Sequence, residues 1–475
     1  MSGLLLVSHH QGQQSGLAAS LASIVARRGG LWIGWNGRTD ASGDIAARPL
    51  HYQSGKDGDR LSFALTLDEA HGFYQQYVHQ GLWPVFHSRP DLAQFSDRAR
   101  RAWLQVNSLF SEAIVRYALP DEAIWLQDYH LIPCLRQLRD AGLTQRIGFF
   151  LHQPFPPAQF FTAIPDWRML ADALLCSDLI GFQTVQDMLN FMTFLESEYR
   201  PERLSARRFR IKGRLVTVGV FPMGIDCEEV LWQQESNSSQ ALEAQCRESL
   251  PPNIILSSGH LDDSSGIPFR LAAMARLLEQ HPDYAHRATL LQLADPDSGY
   301  SHRAGAIDHQ LEALCGQLNG QHGALDWYPV RCLKQPFTRN ELCGLYRAAR
   351  VALVTPLSAG MSMMAKVWIA AQDPQNPGVL ILSQYAGAAE SLSGALIVNP
   401  YDADAMAAAL HSALSMPLAE RRSRHASMLM DVRRHDIHWW AAQFLQRLQA
   451  GEDEEHALTL LSQAPAAVRC RRVRY

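Results

Sequence analysis

At 475 residues the chain exceeds what one compact core organises, and two domains of about 200 residues each are expected. A hydrophobic share of 47% and a charged share of 19% describe an ordinary globular chain. A net charge of −4 and a pI near 6.5 argue against an extended basic face for nucleic acid. The apolar runs are far short of a membrane span, and residues 1–11 lack the basic start and long apolar stretch of a signal peptide. Eight cysteines are scattered with no C-x-x-C pair, which points to a reduced, cytoplasmic protein without a disulfide framework or zinc site.

Residues 4–7 read as a buried strand, residues 8–11 as a loop, and residues 17–27 as a helix. A strand–loop–helix opening of this kind can hold a phosphate at the helix N-terminus. Residues 31–35 are a second strand, with Gly37 in the turn after it. Residues 73–89 are aromatic-rich and interrupted by Gly81 and Pro84; such a cluster is more often packing than a sugar platform.

Residues 123–156 form the centre of the chain. The apolar run 123–126 stops at Asp128, and Pro133 suits the first turn of a helix that ends near Gly142. Residues 147–151 are a further buried strand, ending at His152 and the breakers Pro154 and Pro156. Strand, helix and strand of this length make one right-handed βαβ unit. Asp128 and His152 then both emerge at carboxyl ends of neighbouring strands, the edge that forms a ligand crevice. The competing reading is that Asp128 caps the following helix and His152 is a satisfied core histidine.

Strands are expected at 179–182 and 215–221, and a domain boundary near the polar, Ser-rich stretch 235–245. A second series follows at 254–257, 289–293, 325–328, 351–355, 378–382 and 395–398. Helices separate them at 270–279, 341–349 and 405–414. Such alternation in both halves means two doubly wound α/β domains facing one cleft. Their expected extents are 1–224 and 225–434, with a final helix at 435–450 crossing back and a mobile, charged tail at 451–475. His435 and His438 have the spacing of a metal pair but no third ligand, so no metal is expected.

The stretches WLQDYHLIP, IGFFLHQPFP, LIGFQT, VFPMGID, LVTPLSAGM, AAQDPQNPGVLILSQYAGAA and ALIVNPYDADAMAAAL resemble those of the trehalose-6-phosphate synthase family. The resemblance runs from about residue 4 to residue 448. It implies a GT-B fold of two Rossmann-like domains and a retaining glycosyltransferase that moves glucose from UDP-glucose to glucose 6-phosphate. A UDP-sugar is then a substrate, and no metal or other cofactor is implied. Carried over by position, Asp128 would contact the acceptor hydroxyls, Tyr74 and Trp83 would line the acceptor pocket, and Trp35 lies in a matching loop near it. His152 would sit beside the donor sugar. Asp128 and His152 are therefore the candidate catalytic pair.

The donor half departs from the pattern. The family's R-x-D-x-x-K-G motif holds the UDP diphosphate with its Arg and Lys, and here His260 and Ser265 stand in those places. Its D-G-x-N-L-x-x-x-E motif holds donor sugar and ribose, and here Ala359, Ser362 and Val367 replace the Asp, Asn and Glu. His9-His10 stands where an Arg follows the first strand, Ser298 stands near another expected Arg, and the family's Gly-Gly is Ser15-Gly16. A charge-assisted hydrogen bond contributes roughly 1.5–3 kcal/mol, so loss of the Arg–Lys pair would weaken diphosphate binding by roughly 3–6 kcal/mol. Two readings stay open. One is a weakly active or inactive paralogue that binds a sugar phosphate such as glucose 6-phosphate or assembles, as a homo- or hetero-oligomer, with a synthase-like subunit. The other is an active transferase with an altered donor or acceptor, in which His260 or Lys366 serves as a substitute cation. Lys366 is otherwise a solvent-facing helix residue. Neither nucleic acid nor membrane is expected as a partner.

Overall fold

The structure, a computed structural model, describes residues 3–12, 16–41, 48–55, 58–295 and 304–450. Ser15, Ser298 and the expected tail at 451–475 lie outside the described residues. The first sheet takes ten strands: β1 (Leu4–His10), β2 (Leu31–Trp35), β3 (His51–Gln53), β4 (Asp59–Phe63), β5 (Ala123–Gln127), β6 (Ile147–Phe150), β7 (Leu179–Phe182), β8 (Glu202–Arg203), β9 (Arg208–Ile211) and β10 (Arg214–Val220). Their order is β3-β4-β2-β1-β5-β6-β7-β10-β9-β8, parallel from β4 through β10 with antiparallel edges. The second sheet is parallel throughout: β11 (Asn253–His260), β12 (Ala288–Asp295), β13 (Val330–Leu333), β14 (Val351–Val354), β15 (Val379–Ser383) and β16 (Leu396–Val398), in the order β13-β12-β11-β14-β15-β16. Both sheets reverse direction next to their first strand, so a crevice opens between β1 and β5 and another between β11 and β14.

The central strands are near-continuous apolar runs because helices cover both faces of each sheet. Pro133 sits in the first turn of the helix Ile132–Asp140, and Gly142 takes φ +86° just past its end, a conformation costly for any other residue. The last helix, Ile437–Gln449, lies on the first sheet. Its Phe444 stacks on Trp125 with centroids 4.6 Å apart, and Trp440 lies 4.8 Å from both Trp125 and Phe150. Gly148 and Gly181 make the hollow for this ring: a Cβ on either would come within 2.6–2.8 Å of Phe444.

Four segments differ from the sequence reading. β1 runs on through His9 and His10, pairing with β2 across a register shift between Val7 and His10, where polar side chains had suggested a loop. The aromatic stretch is one unbroken helical run, a wide i→i+5 helix at His71–Leu82 followed by Trp83–Phe86, and Gly81 does not interrupt it. The strand expected at 325–328 is instead β13. Leu325 is fully exposed, Trp327 is tied by its indole N–H to the Ala288 carbonyl and Thr289 Oγ1, and the ladder starts only after Pro329. The polar stretch 235–245 is mostly helix Asn237–Ser249, capped by Ser236 and packed through Ser239 onto Gly344 of the helix Arg339–Ala348.

Candidate functional site

Asp128 terminates β5 with φ +70° and ψ 163°, a region that side-chain-bearing residues occupy at a cost of roughly 1–3 kcal/mol. Its N–H donates to the Phe150 carbonyl at 2.7 Å, and its Oδ1 accepts the His152 N–H at 3.2 Å. The side chain makes no N-cap hydrogen bond, and its Oδ1 is turned to the His152 N–H instead. It is 2% exposed, and burial pushes its carboxyl up to about 7 against the opposing backbone hydrogen bonds. His130 Nδ1 lies 3.7 Å from Asp128 Oδ2, yet the two are not an ion pair. Burial holds both groups toward their neutral forms.

His152 follows β6. Its Nε2 faces Gln127 Oε1 at 2.9 Å, and Gln183 Nε2 lies 3.4 Å from its Nδ1. Burial drops its pKa to about 3, so the ring is neutral at any ordinary pH. Gly360, from the second half of the chain, presses on its backbone: a Cβ there would sit 1.9 Å from the His152 carbonyl oxygen. The two halves also meet where Val185 N–H donates to Glu390 Oε2 at 3.1 Å.

Around Asp128 the structure gathers an aromatic and histidine wall. His9 stacks on His130 at 3.7 Å and 7°, with Tyr74 5.7 Å from His9, and Trp35 is 6.1 Å from Tyr74 and 5.3 Å from His10. His10 Nδ1 accepts the Gly12 N–H at 2.8 Å. His79 meets Tyr74 edge-on at 4.3 Å and is held down to about 3 by burial, with His260 of the second half adding a further lowering. Trp83 is buried and stacks on His87 at 4.1 Å, and His87 in turn neighbours His79 of this wall. His79 and His130 were not singled out from the sequence. The signal for His79 was its place five residues after Tyr74, which the wide helix converts into contact and an α-helical reading does not.

Facing this wall is the loop after β11. His260 is exposed at the strand end, Asp262 Oδ1 accepts the N–H and hydroxyl of Ser264 at 2.8 and 2.9 Å, and Ser265 donates its hydroxyl to the Asp262 carbonyl at 2.8 Å. Beneath the loop, buried Arg270 donates to Ser257 Oγ at 2.7 Å, Thr355 Oγ1 at 3.1 Å and the Ser265 carbonyl. Its guanidinium braces the loop from inside.

A family model described as glycosyltransferase family 20 matches residues 7–450. The chain belongs to glycosyltransferase family 20. It is 40% identical over 456 residues to a trehalose-6-phosphate synthase of Klebsiella pneumoniae subsp. pneumoniae, covering 94% of this chain and 95% of that one. Among solved structures, one from E. coli with UDP-2-fluoro glucose bound superposes with TM-score 0.88 at 39% identity, over 94% of this chain and all of that one. An alpha,alpha-trehalose-phosphate synthase from Burkholderia xenovorans in complex with glucose-6-phosphate gives TM-score 0.88 at 36% identity over the same shares. This member of family 20 is thus a trehalose-6-phosphate synthase-like glycosyltransferase with the GT-B arrangement of two facing parallel-sheet halves.

The family positions that differ can now be placed. Gly16 opens the helix Gly16–Arg28 behind β1. Ala359 pairs with Ala386 and bonds Tyr385 and Gly387 through its backbone, offering no polar side chain. Ser362 precedes the helix Met363–Ala371 at φ +69°, ψ 67° and makes no side-chain cap bond. Val367 packs against the cluster of Val354, Ala365, Trp368 and Leu380 on the second sheet. Lys366 is not solvent-facing: it is 2% exposed and donates to the Met223 carbonyl at 2.5 Å, between the two halves. Burial lowers it to about 8, partly offset by Asp431 and Cys227. His435 and His438 face different carboxylates, Asp431 at 2.9 Å and Asp226 at 3.7 Å.

Proposed function

We propose that this family 20 protein binds a sugar phosphate in the crevice at β1 and β5 and transfers glucose from UDP-glucose poorly or not at all. It acts as a binding or regulatory paralogue, alone or assembled with a synthase-like subunit, and needs no metal or other cofactor. One observation carries the reading. The loop after β11 holds Asp262 and Asp263, a serine whose hydroxyl is spent on its own loop, and no lysine or arginine. Arg270 below it is engaged by Ser257, Thr355 and Ser265, and Lys366 is committed to Met223. A leaving nucleoside diphosphate needs fixed cations where its charge develops, and each missing donor costs about 2.7–4 kcal/mol at the transition state. The opposite crevice is furnished for a sugar: Asp128 and the Tyr74 and Trp35 rings supply a hydroxyl partner and apolar faces.

His152 is neutral and buried beside Gln127 and Gln183, so it contributes shape and a hydrogen bond and not a charge. The strained backbone of Asp128 favours the second reading, an active transferase with an altered donor, since strain is kept where geometry matters. Calorimetry with UDP and with glucose 6-phosphate, together with UDP release from UDP-glucose, separates the two. We expect glucose 6-phosphate to bind wild type and fail with Asp128→Ala. UDP should bind roughly a hundred- to ten-thousand-fold more weakly to wild type than to His260→Arg/Ser265→Lys. UDP release by wild type that vanishes in Asp128→Ala would overturn the reading in favour of an active enzyme.

A further inference from the structure

One face of the helix Ala304–His322 runs in register along β13, at the edge of the second sheet. Asn319 fixes that register twice: its Nδ2 donates to the Val330 carbonyl at 3.0 Å, and its Oδ1 accepts the Val330 N–H at 3.1 Å. One helical turn back along this face is Cys315, and two residues on along the strand is Cys332. Four helical residues rise about 6 Å and two strand residues about 6.6 Å, so the second pair meets as the first does. A further step along each element brings Lys334 to Asp308 and Glu312, both at 2.5 Å. Between the amide clamp and this ion triad the two thiols face each other, near enough for each to bias the other's ionisation. Cys315 is buried within the second core, and Cys332 is half-buried on the edge strand.

We propose that Cys315 and Cys332 are a reversible redox site that closes to a disulfide, tying the helix to the edge strand, when a small-molecule disulfide is the oxidant. The neighbouring Cys315 thiol and Lys334 favour the thiolate of Cys332 and outweigh its burial and the Asp308 and Glu312 carboxylates, which makes it the attacking sulfur. It attacks one sulfur of the oxidant, forming a mixed disulfide and releasing one thiolate. Cys315 then gives its proton to solvent, attacks the Cys332 sulfur and expels the second thiolate. Two electrons and two protons leave the pair, and the oxidant is reduced to two thiols. The bond closes a loop across 17 positions of chain, which restricts the unfolded state.

The test uses the full chain held in oxidised glutathione, then alkylated and mapped by peptide mass, with thermal unfolding in parallel. Wild type is expected to give a Cys315–Cys332 linkage, two hydrogens lighter, that dithiothreitol reverses, and an unfolding midpoint raised by roughly 5 °C. Cys315→Ser is expected to stop at a glutathione adduct on Cys332, and Cys332→Ser to form neither product. Both thiols alkylatable in oxidised wild type, or an adduct left unresolved on Cys332, would overturn the proposal. So would a linkage that leaves the midpoint where it was.

Discussion

Asp128 combines two unfavourable features at one position, a backbone conformation suited to glycine and a carboxyl group away from water. Raised from 3.8 to about 7, it keeps a proton in the folded state that the unfolded chain has already lost between those values. The folded state is therefore penalised progressively as pH rises from about 4, and the penalty is complete above about 7. Asp128→Asn keeps an oxygen for the His152 N–H and removes the ionisation. Urea unfolding should find D128N and wild type within about 1 kcal/mol at pH 4, and D128N ahead by on the order of 4 kcal/mol at pH 8. A constant difference across that range would show that the carboxyl titrates normally. The place of Asp128 at a strand end was legible in the sequence, but its strain was not. A positive φ at a non-glycine residue arises from the turn the sheet imposes, and no local pattern announces it.

At the scale of elements, the buried parallel strands were readable because each is an apolar run bounded by turn residues. Those readings failed where tertiary contacts, and not local pattern, decide the conformation. Trp327 looked like part of a strand and is an anchor for β12, while His9 and His10 looked like loop and are paired backbone. The candidate site was legible in part: Trp35 and Tyr74 come together and Trp83 adjoins them through His87, whereas the contribution of His79 depends on a wide helix. Gly360 illustrates what a single chain position cannot reveal, since its partner is 208 positions away at His152. Gly360→Ala should lose roughly 1–3 kcal/mol of stability, because backbone faces backbone and neither side can repack. An unchanged unfolding midpoint in G360A would mean that the two halves do not meet there in solution.

For the molecule as a whole, the buried imidazoles dominate the acid response. His9, His79, His87, His130 and His152 are all held well below their ordinary value by burial, so each gains a proton only on unfolding once the pH drops under about 6.5. Asp128 and Asp187, whose carboxyls burial raises to about 7 and about 6, work in the opposite direction at pH 5. Unfolding at pH 5 should therefore take up protons on balance, read from the slope of unfolding free energy against pH. A slope near zero would show these rings to be solvated. The last helix has a different consequence, one of timing. Its Phe444 fills the hollow over Gly148 and Gly181, and Trp440 covers Trp125. During synthesis the strands of the first sheet leave the ribosome early, while the helix that seals them comes more than two hundred residues later. At ordinary elongation rates that leaves the indole of Trp125 and the ring of Phe150 without their cover for roughly 15–60 s. The first sheet is thus made before the second and closed after it, and in that interval its uncovered rings are what a chaperone would meet.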